Sequence, residues 1–89
     1  MNEEDVMKRL KKEARFFEIY HKTSFWGYRR NAKGEEQRVS VDILDMGSEA
    51  GNLRYSCVAR IKDGKEITGN PAPSIDTAIV TAHWNELDL

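Results

Sequence analysis

The chain predicts an α+β domain of order αβββα, a three-stranded antiparallel sheet with both helices packed on one face. Three observations carry that expectation. Val39, Val41 and Ile43 alternate with Ser40 and Asp42, the period of a strand with one wet face. Leu53 to Asn70 reads as two further strands folded over Asp63-Gly64, a turn dipeptide. Apolar residues at helical spacing flank this block on both sides. With 89 residues there is room for one core, so residues 1–89 are taken as a single domain.

The first helix is expected over about 3–21. Asn2 is a suitable N-cap, and Glu3, Glu4 and Asp5 stand where the helix dipole favours acids. Val6, Leu10, Ala14 and Phe17 form an apolar stripe, with Lys8, Lys11, Lys12 and Arg15 on the opposite face. The period breaks after Arg15. Either the helix continues to about His21, covered by the segment that follows, or it stops near Arg15 and residues 16–23 become a short strand. The absence of Gly or Pro before Gly27 favours the longer helix.

Residues 23–37 combine Phe25, Trp26 and Tyr28 with a loop-like Arg29-Arg30-Asn31-Ala32-Lys33-Gly34. Aromatics dominate small cores, so packing over one end of the core is the favoured role for them. The alternative is a stacking platform beside phosphate-neutralising cations, the pairing that single-stranded nucleic acids use. Its members would be Lys22, Trp26, Tyr28, Arg29, Arg30 and Lys33.

The strands are expected over about 38–46, 53–62 and 65–70, with Gly47 to Asn52 as a turn-rich connection. In the second strand Leu53, Tyr55, Cys57, Ala59 and Ile61 share the core face, and Arg54, Ser56, Val58 and Arg60 the other. A two-residue turn at Asp63-Gly64 would place Ile67 on the wet face and Lys62 opposite Lys65. A three-residue turn, Lys62-Asp63-Gly64 with a left-handed glycine bulge, pairs Ala59 with Ile67 and brings Ile67 into the core. The bulged turn is therefore predicted. Asn70-Pro71-Ala72-Pro73 must be extended, and Ser74 then caps a last helix over about 74–87. Ile75, Ala78, Ile79 and Ala82 line its apolar stripe.

Composition narrows the functional classes. An apolar content of 39% and a charged content of 33% are those of an ordinary globular chain. No apolar run approaches the ~20 residues of a membrane span, and the acidic opening Asn2–Asp5 is unlike a targeting peptide, so a cytoplasmic location is expected. One cysteine, Cys57, excludes an internal disulfide and a cysteine-cluster metal site. The net charge of −1 conceals a basic block: residues 8–38 hold ten Lys or Arg against four Glu. Such a block marks either a nucleic-acid face or a solvated element that pairs with the acidic remainder.

No catalytic constellation is evident, and no enzyme activity, cofactor or metal is expected. Cys57 falls mid-strand on the apolar face, His21 and His83 lie on different elements, and no glycine-rich phosphate loop precedes a helix.

Tyr55 to Leu87 runs strand, bulged turn at Lys62-Asp63-Gly64-Lys65, short strand, loop and alanine-containing helix, and in this it resembles the double-stranded-RNA-binding domain. The resemblance covers a little over a third of the chain and implies the αβββα fold. In that family RNA is contacted from the first helix, from the loop between the first two strands, and from lysines opening the last helix. Here the first helix supplies Lys8, Lys12 and Arg15, but Gly47–Asn52 offers Glu49 and no base, and Asp76 stands where the lysines would be. The chain is thus similar to short bacterial proteins that carry this fold without its RNA-binding lysines.

The function expected is a non-catalytic interaction module that binds another protein or itself as a homodimer, through an open sheet face or an edge strand. The alternative is single-stranded nucleic-acid binding through residues 22–33.

Overall fold

Asn2 opens the first helix as expected: its Oδ1 accepts from the Asp5 amide at 2.9 Å, and Glu3, Glu4 and Asp5 fill the first turn. In the computed structural model, which describes residues 2–62 and 64–88, that helix is α1 (Glu3–Ala14). Four strands follow, β1 (His21–Arg30), β2 (Glu36–Asp45), β3 (Tyr55–Ile61) and β4 (Glu66–Thr68), then a short helix α2 (Ile75–Val80). Two 3₁₀ turns, Ser48–Leu53 and Trp84–Asp88, complete the chain.

The α+β class and the antiparallel sheet stand, but the sheet has four strands in the order β1-β2-β3-β4. The extra strand, β1, occupies most of the segment read as an aromatic stretch and loop, and the end of the predicted helix, residues 15–20, is irregular. Arg15 takes a left-handed conformation (φ 62°, ψ 32°) that turns the chain out of α1, so the helix over 3–21 is corrected to Glu3–Ala14. The alternative of a stop near Arg15 had the right end point, although the strand begins at His21 rather than Phe16.

A tight hairpin then joins β1 to β2. Gly34 N donates to Asn31 O at 2.9 Å, closing a turn with Asn first and a left-handed glycine last (φ +79°). The Asn31 side-chain oxygen also accepts from the Lys33 and Glu35 amides. The register pairs Phe25 with Val41, Trp26 with Ser40 and Tyr28 with Arg38.

The β3–β4 pairing keeps the predicted register. Ala59 lies opposite Ile67, and Ile61 N donates to Lys65 O at 2.9 Å. Asp63 lies outside the described residues, and with it the φ of Gly64, which is measured from the Asp63 carbonyl carbon. Gly64 itself is described, and its N–H donates to Ile61 O at 3.0 Å. The strand expected over 53–62 starts at Tyr55. Leu53 belongs to the 3₁₀ turn and is exposed rather than core. Beyond β4, the extended Asn70–Pro73 segment forms a bridge in which Tyr55 and Ala72 exchange hydrogen bonds of 2.9 and 2.7 Å.

The helix expected over 74–87 is α2 plus a separate 3₁₀ turn. Ser74 Oγ caps it, accepting from the Thr77 amide at 3.1 Å. Ile79-Val80-Thr81 is a β-branched run poorly suited to continuing a helix. Thr81 bonds back to Thr77 O, and the Trp84 indole N–H donates to Ile79 O at 2.7 Å, satisfying carbonyls that a longer helix would have used.

The core sits between β2–β4 and α2. Val39, Ile43, Cys57, Ala59 and Ile67 from the sheet meet Ala72, Ala78, Ala82 and Leu87. α1 buries only Met7, and it is tied to the rest through Glu4, which accepts from the amide and hydroxyl of Ser48. No helix among the described residues is long and apolar enough to cross a membrane.

Candidate functional site

The period of two in β1 decides what the sheet displays. Residues on one side of β1 follow Val39 and Ile43 toward the helices, and those on the other side form an open face. Trp26 and Tyr28 fall on the open face and are each 63% exposed, so the expectation that these aromatics pack over the core is corrected. The physical reason is that β1 is the sheet edge, outside the core that β2–β4 build with α2. Phe25, on the helix side, is itself 58% exposed.

Trp26 and Tyr28, two residues apart on a strand, meet edge to face with ring centroids 5.9 Å apart and planes at 84°. Arg38 lies opposite Tyr28 and sets its guanidinium 4.6 Å from the Trp26 ring centroid. One strand further in, Arg60 faces Ser40, which itself faces Trp26. Arg38, Ser40, Arg60, Ile61 and Lys62 line an open depression of about 260 Å³. The face therefore joins two bare aromatic rings to a three-cation hollow. Two of its acids are engaged locally: Asp42 accepts from Ser24 Oγ at 2.7 Å, and Glu66 pairs with Arg60, Nε to Oε2 being 3.0 Å; Glu36 lies opposite Arg30 toward the hairpin end.

The predicted set of Lys22, Trp26, Tyr28, Arg29, Arg30 and Lys33 is divided by this geometry. Trp26 and Tyr28 form its centre. Lys22 shares their side of β1 but lies toward the other end, opposite Leu44. Arg30 is at the hairpin end, opposite Glu36, with Nη1 3.3 Å from Gly34 O. Lys33 stands in the connecting loop. Arg29 points to the helix side, where Nη1 donates to Gln37 Oε1 at 2.8 Å and to Asp88 Oδ1 at 3.1 Å, so it is a structural tether. Arg38, Ser40, Arg60 and Lys62 lie outside the predicted nucleic-acid set. Arg38, Ser40 and Arg60 alternate with core residues and so read as wet-face positions. Nothing placed Trp26 beside them without β1.

Elsewhere the chemistry is quiet. Cys57 is buried and its thiol is pushed up by desolvation, which keeps it protonated and unreactive. His83 Nδ1 lies 3.8 Å from Glu86, away from His21. No cluster of three metal-ligating side chains occurs among the described residues. A cavity of about 290 Å³ lies between α1 and the sheet and is lined by Glu3, Glu4, Met7, His21, Asp45 and Arg54 among others. Its main charges already serve the fold. Asp45 accepts from Arg54 Nε at 2.8 Å, Arg54 Nη2 at 3.1 Å and the Gly47 amide at 2.8 Å. The Arg54 hydrogen bond holds the Asp45 carboxyl below its ordinary range. No protein-family model, curated protein or solved structure matches the chain.

Proposed function

We propose that the chain is a non-catalytic, cytosolic binding module whose open sheet face takes single-stranded nucleic acid. The observation that carries this reading is the exposed Trp26–Tyr28 pair with Arg38 stacked on Trp26 and the Arg38–Arg60–Lys62 hollow beside it. Bases have π faces that stack on exposed rings regardless of sequence, and the phosphates between them need cations at short range. The Arg60–Glu66 pair is half exposed on both sides, and such pairs are weak enough for a phosphate to displace the carboxylate. The resemblance to the double-stranded-RNA-binding domain rests on Tyr55 to Leu87, which is β3, β4 and α2, and does not reach β1. Duplex RNA is not the ligand proposed, because α2 opens on Ile75-Asp76 and the Ser48–Leu53 turn offers only Glu49.

The test is fluorescence titration with a mixed-sequence oligonucleotide at ~50 mM salt, where counterion release favours binding. Trp26 emission should be quenched, and three phosphate contacts give a slope of log K against log salt of about −2. Trp26→Phe should remove the quench while Trp84 continues to report the fold. Unchanged emission at low salt, or quenching that ignores salt, overturns the proposal.

A further inference from the structure

β1 is a ten-residue edge strand, and seven consecutive residues, Lys22 to Tyr28, are exposed on it. Exposure on successive residues means that both faces of the strand are bare, not one. The chain's radius of gyration is 15.0 Å, against about 12 Å for a compact domain of this length. This edge has no proline, and its inward charge, Arg29, lies at one end and is held by Gln37 and Asp88, so Lys22 to Tyr28 are left as a long edge of the kind that templates pairing with another strand.

The free hydrogen-bonding groups can be assigned. Asn31 N donates to Glu35 O at 2.9 Å, which makes the odd-numbered residues of β1 the ones bonded to β2. The ladder alternates, so the N–H and C=O groups of Lys22, Ser24, Trp26, Tyr28 and Arg30 point outward from the sheet.

We infer that this edge pairs with the same edge of a second copy, antiparallel, about a twofold axis at Phe25. A continuous sheet must keep both copies' helix sides on one side, so opposed residues must belong to the same face. Two registers satisfy this and pair nine residues of the strand. Centring on Trp26 sets Lys22 against Arg30 twice, a like-charge clash. Centring on Phe25 sets Lys22 against Tyr28, Ser24 against Trp26, Thr23 against Gly27, and Phe25 against itself. The outward groups of Ser24 and Trp26 then bond one another, and the exposed Phe25 rings cover each other on the helix side. The second copy also brings its own Trp26 beside Ser24, so the two open faces become continuous. The inference rests on the edge alone and is independent of what the open face binds.

Sedimentation equilibrium of the whole chain should show a dimer at roughly 100 μM, well above the dissociation constant expected of a moderate interface. Phe25→Cys should oxidise to a covalent dimer rapidly, because facing residues of a non-hydrogen-bonded pair lie about 4.5 Å apart at Cα, within disulfide reach. A cysteine at Lys33, in the hairpin loop, should cross-link at least tenfold more slowly. Ser24→Pro removes one outward donor and the side-chain bond to Asp42 while leaving the β1–β2 backbone bonds. It should raise the dissociation constant at least tenfold over Ser24→Ala, which lacks only the side-chain bond, with an unchanged circular dichroism spectrum. A wild-type monomer at that concentration overturns the inference. So does cross-linking of Phe25→Cys no faster than of Lys33→Cys, or faster cross-linking of Trp26→Cys than of either. Should Ser24→Pro unfold, the cysteine rates decide.

Discussion

Arg38 places its guanidinium 4.6 Å from the centre of the Trp26 ring, across the β1–β2 pairing, while the ring stays 63% exposed. A bare ring with a cation on it is worth little to the fold, since exposed contacts of this kind contribute about 0.5–1 kcal/mol. Its value lies in what else can stack there. Trp26→Ala should therefore leave stability within about 1 kcal/mol while weakening oligonucleotide binding by about 1–3 kcal/mol. Arg38→Ala should instead flatten the salt slope by about 0.7, the share of one phosphate contact. Fluorescence anisotropy of a labelled oligonucleotide at several salt concentrations, beside a thermal melt, separates the two.

Asp88 holds the other side of the same hairpin. Its Oδ1 accepts from Arg29 Nη1 at 3.1 Å and from the Ala32 amide at 3.0 Å, and Gln37 Nε2 donates to Leu87 O at 2.8 Å nearby. The Trp84–Asp88 turn thus clamps the tip of β1–β2. Asp88→Ala should cost about 1–2 kcal/mol, the range of a charge-assisted pair that is three-quarters buried plus one amide bond. Amide exchange should accelerate at Asn31–Glu35 and leave β3 protected. Uniform acceleration across the sheet would show that the clamp is not local.

How much of this was legible depended on whether a residue's surroundings lay near it in sequence. The Ala59–Ile67 register followed from alternation and a turn, and the caps at Asn2 and Ser74 followed from side-chain chemistry at a helix start. β1 was hidden because Phe25-Trp26-Gly27-Tyr28 does not alternate apolar with polar, and it does not alternate because neither face is buried. The hairpin signal was present: Asn31 and Gly34 occupy the first and last positions of a turn. Read that way, residues 21–30 and 36–45 pair at once, and Trp26 falls opposite Ser40. The left-handed Arg15 that ends α1 carries no such signal, because glycine or asparagine is the usual residue there. Leu53 misled for the converse reason: the strand alternation extends through it, but the 3₁₀ turn takes it out of the sheet.

Two carboxylates join distant segments and give the fold an acid limb. The Ser48 hydroxyl and amide hold Glu4 below its ordinary value of 4.5, and the Arg54 guanidinium holds Asp45 below 3.8. Both groups are more readily ionised in the folded chain than in the unfolded one. Their contribution is complete above the unfolded values and is lost as pH falls through the lower folded ones. Melting temperature should thus be level near neutrality and begin to fall as pH drops toward 4.5 and 3.8. Asp45→Asn should flatten that fall and lower stability at pH 7 by about 1–2 kcal/mol, through loss of the paired Arg54 bonds. An Asp45→Asn melt with the same acid dependence as wild type would show that the limb has another source.

Two glycines with opposite surroundings provide the last test. A Cβ at Gly69 would lie 3.0 Å from Ala82 Cα, 3.2 Å from Thr81 O and 3.3 Å from Ala82 N, whereas one at Gly27 would meet nothing within 4 Å. The atoms facing Gly69 are backbone and cannot swing aside as a flexible side chain would. They belong to the segment just after α2, where the chain turns toward Trp84 and the buried Leu87. Gly69→Ala must therefore push the β4 exit away from that turn, an overpacking that costs about 1–3 kcal/mol. Gly27→Ala only narrows the unfolded ensemble, and should be neutral or stabilising by up to about 1 kcal/mol. Urea denaturation of both variants reads the difference directly. If Gly69→Ala proved as mild as Gly27→Ala, the close approach of β4 to the end of α2 could not be what fixes the C-terminal turn on the core.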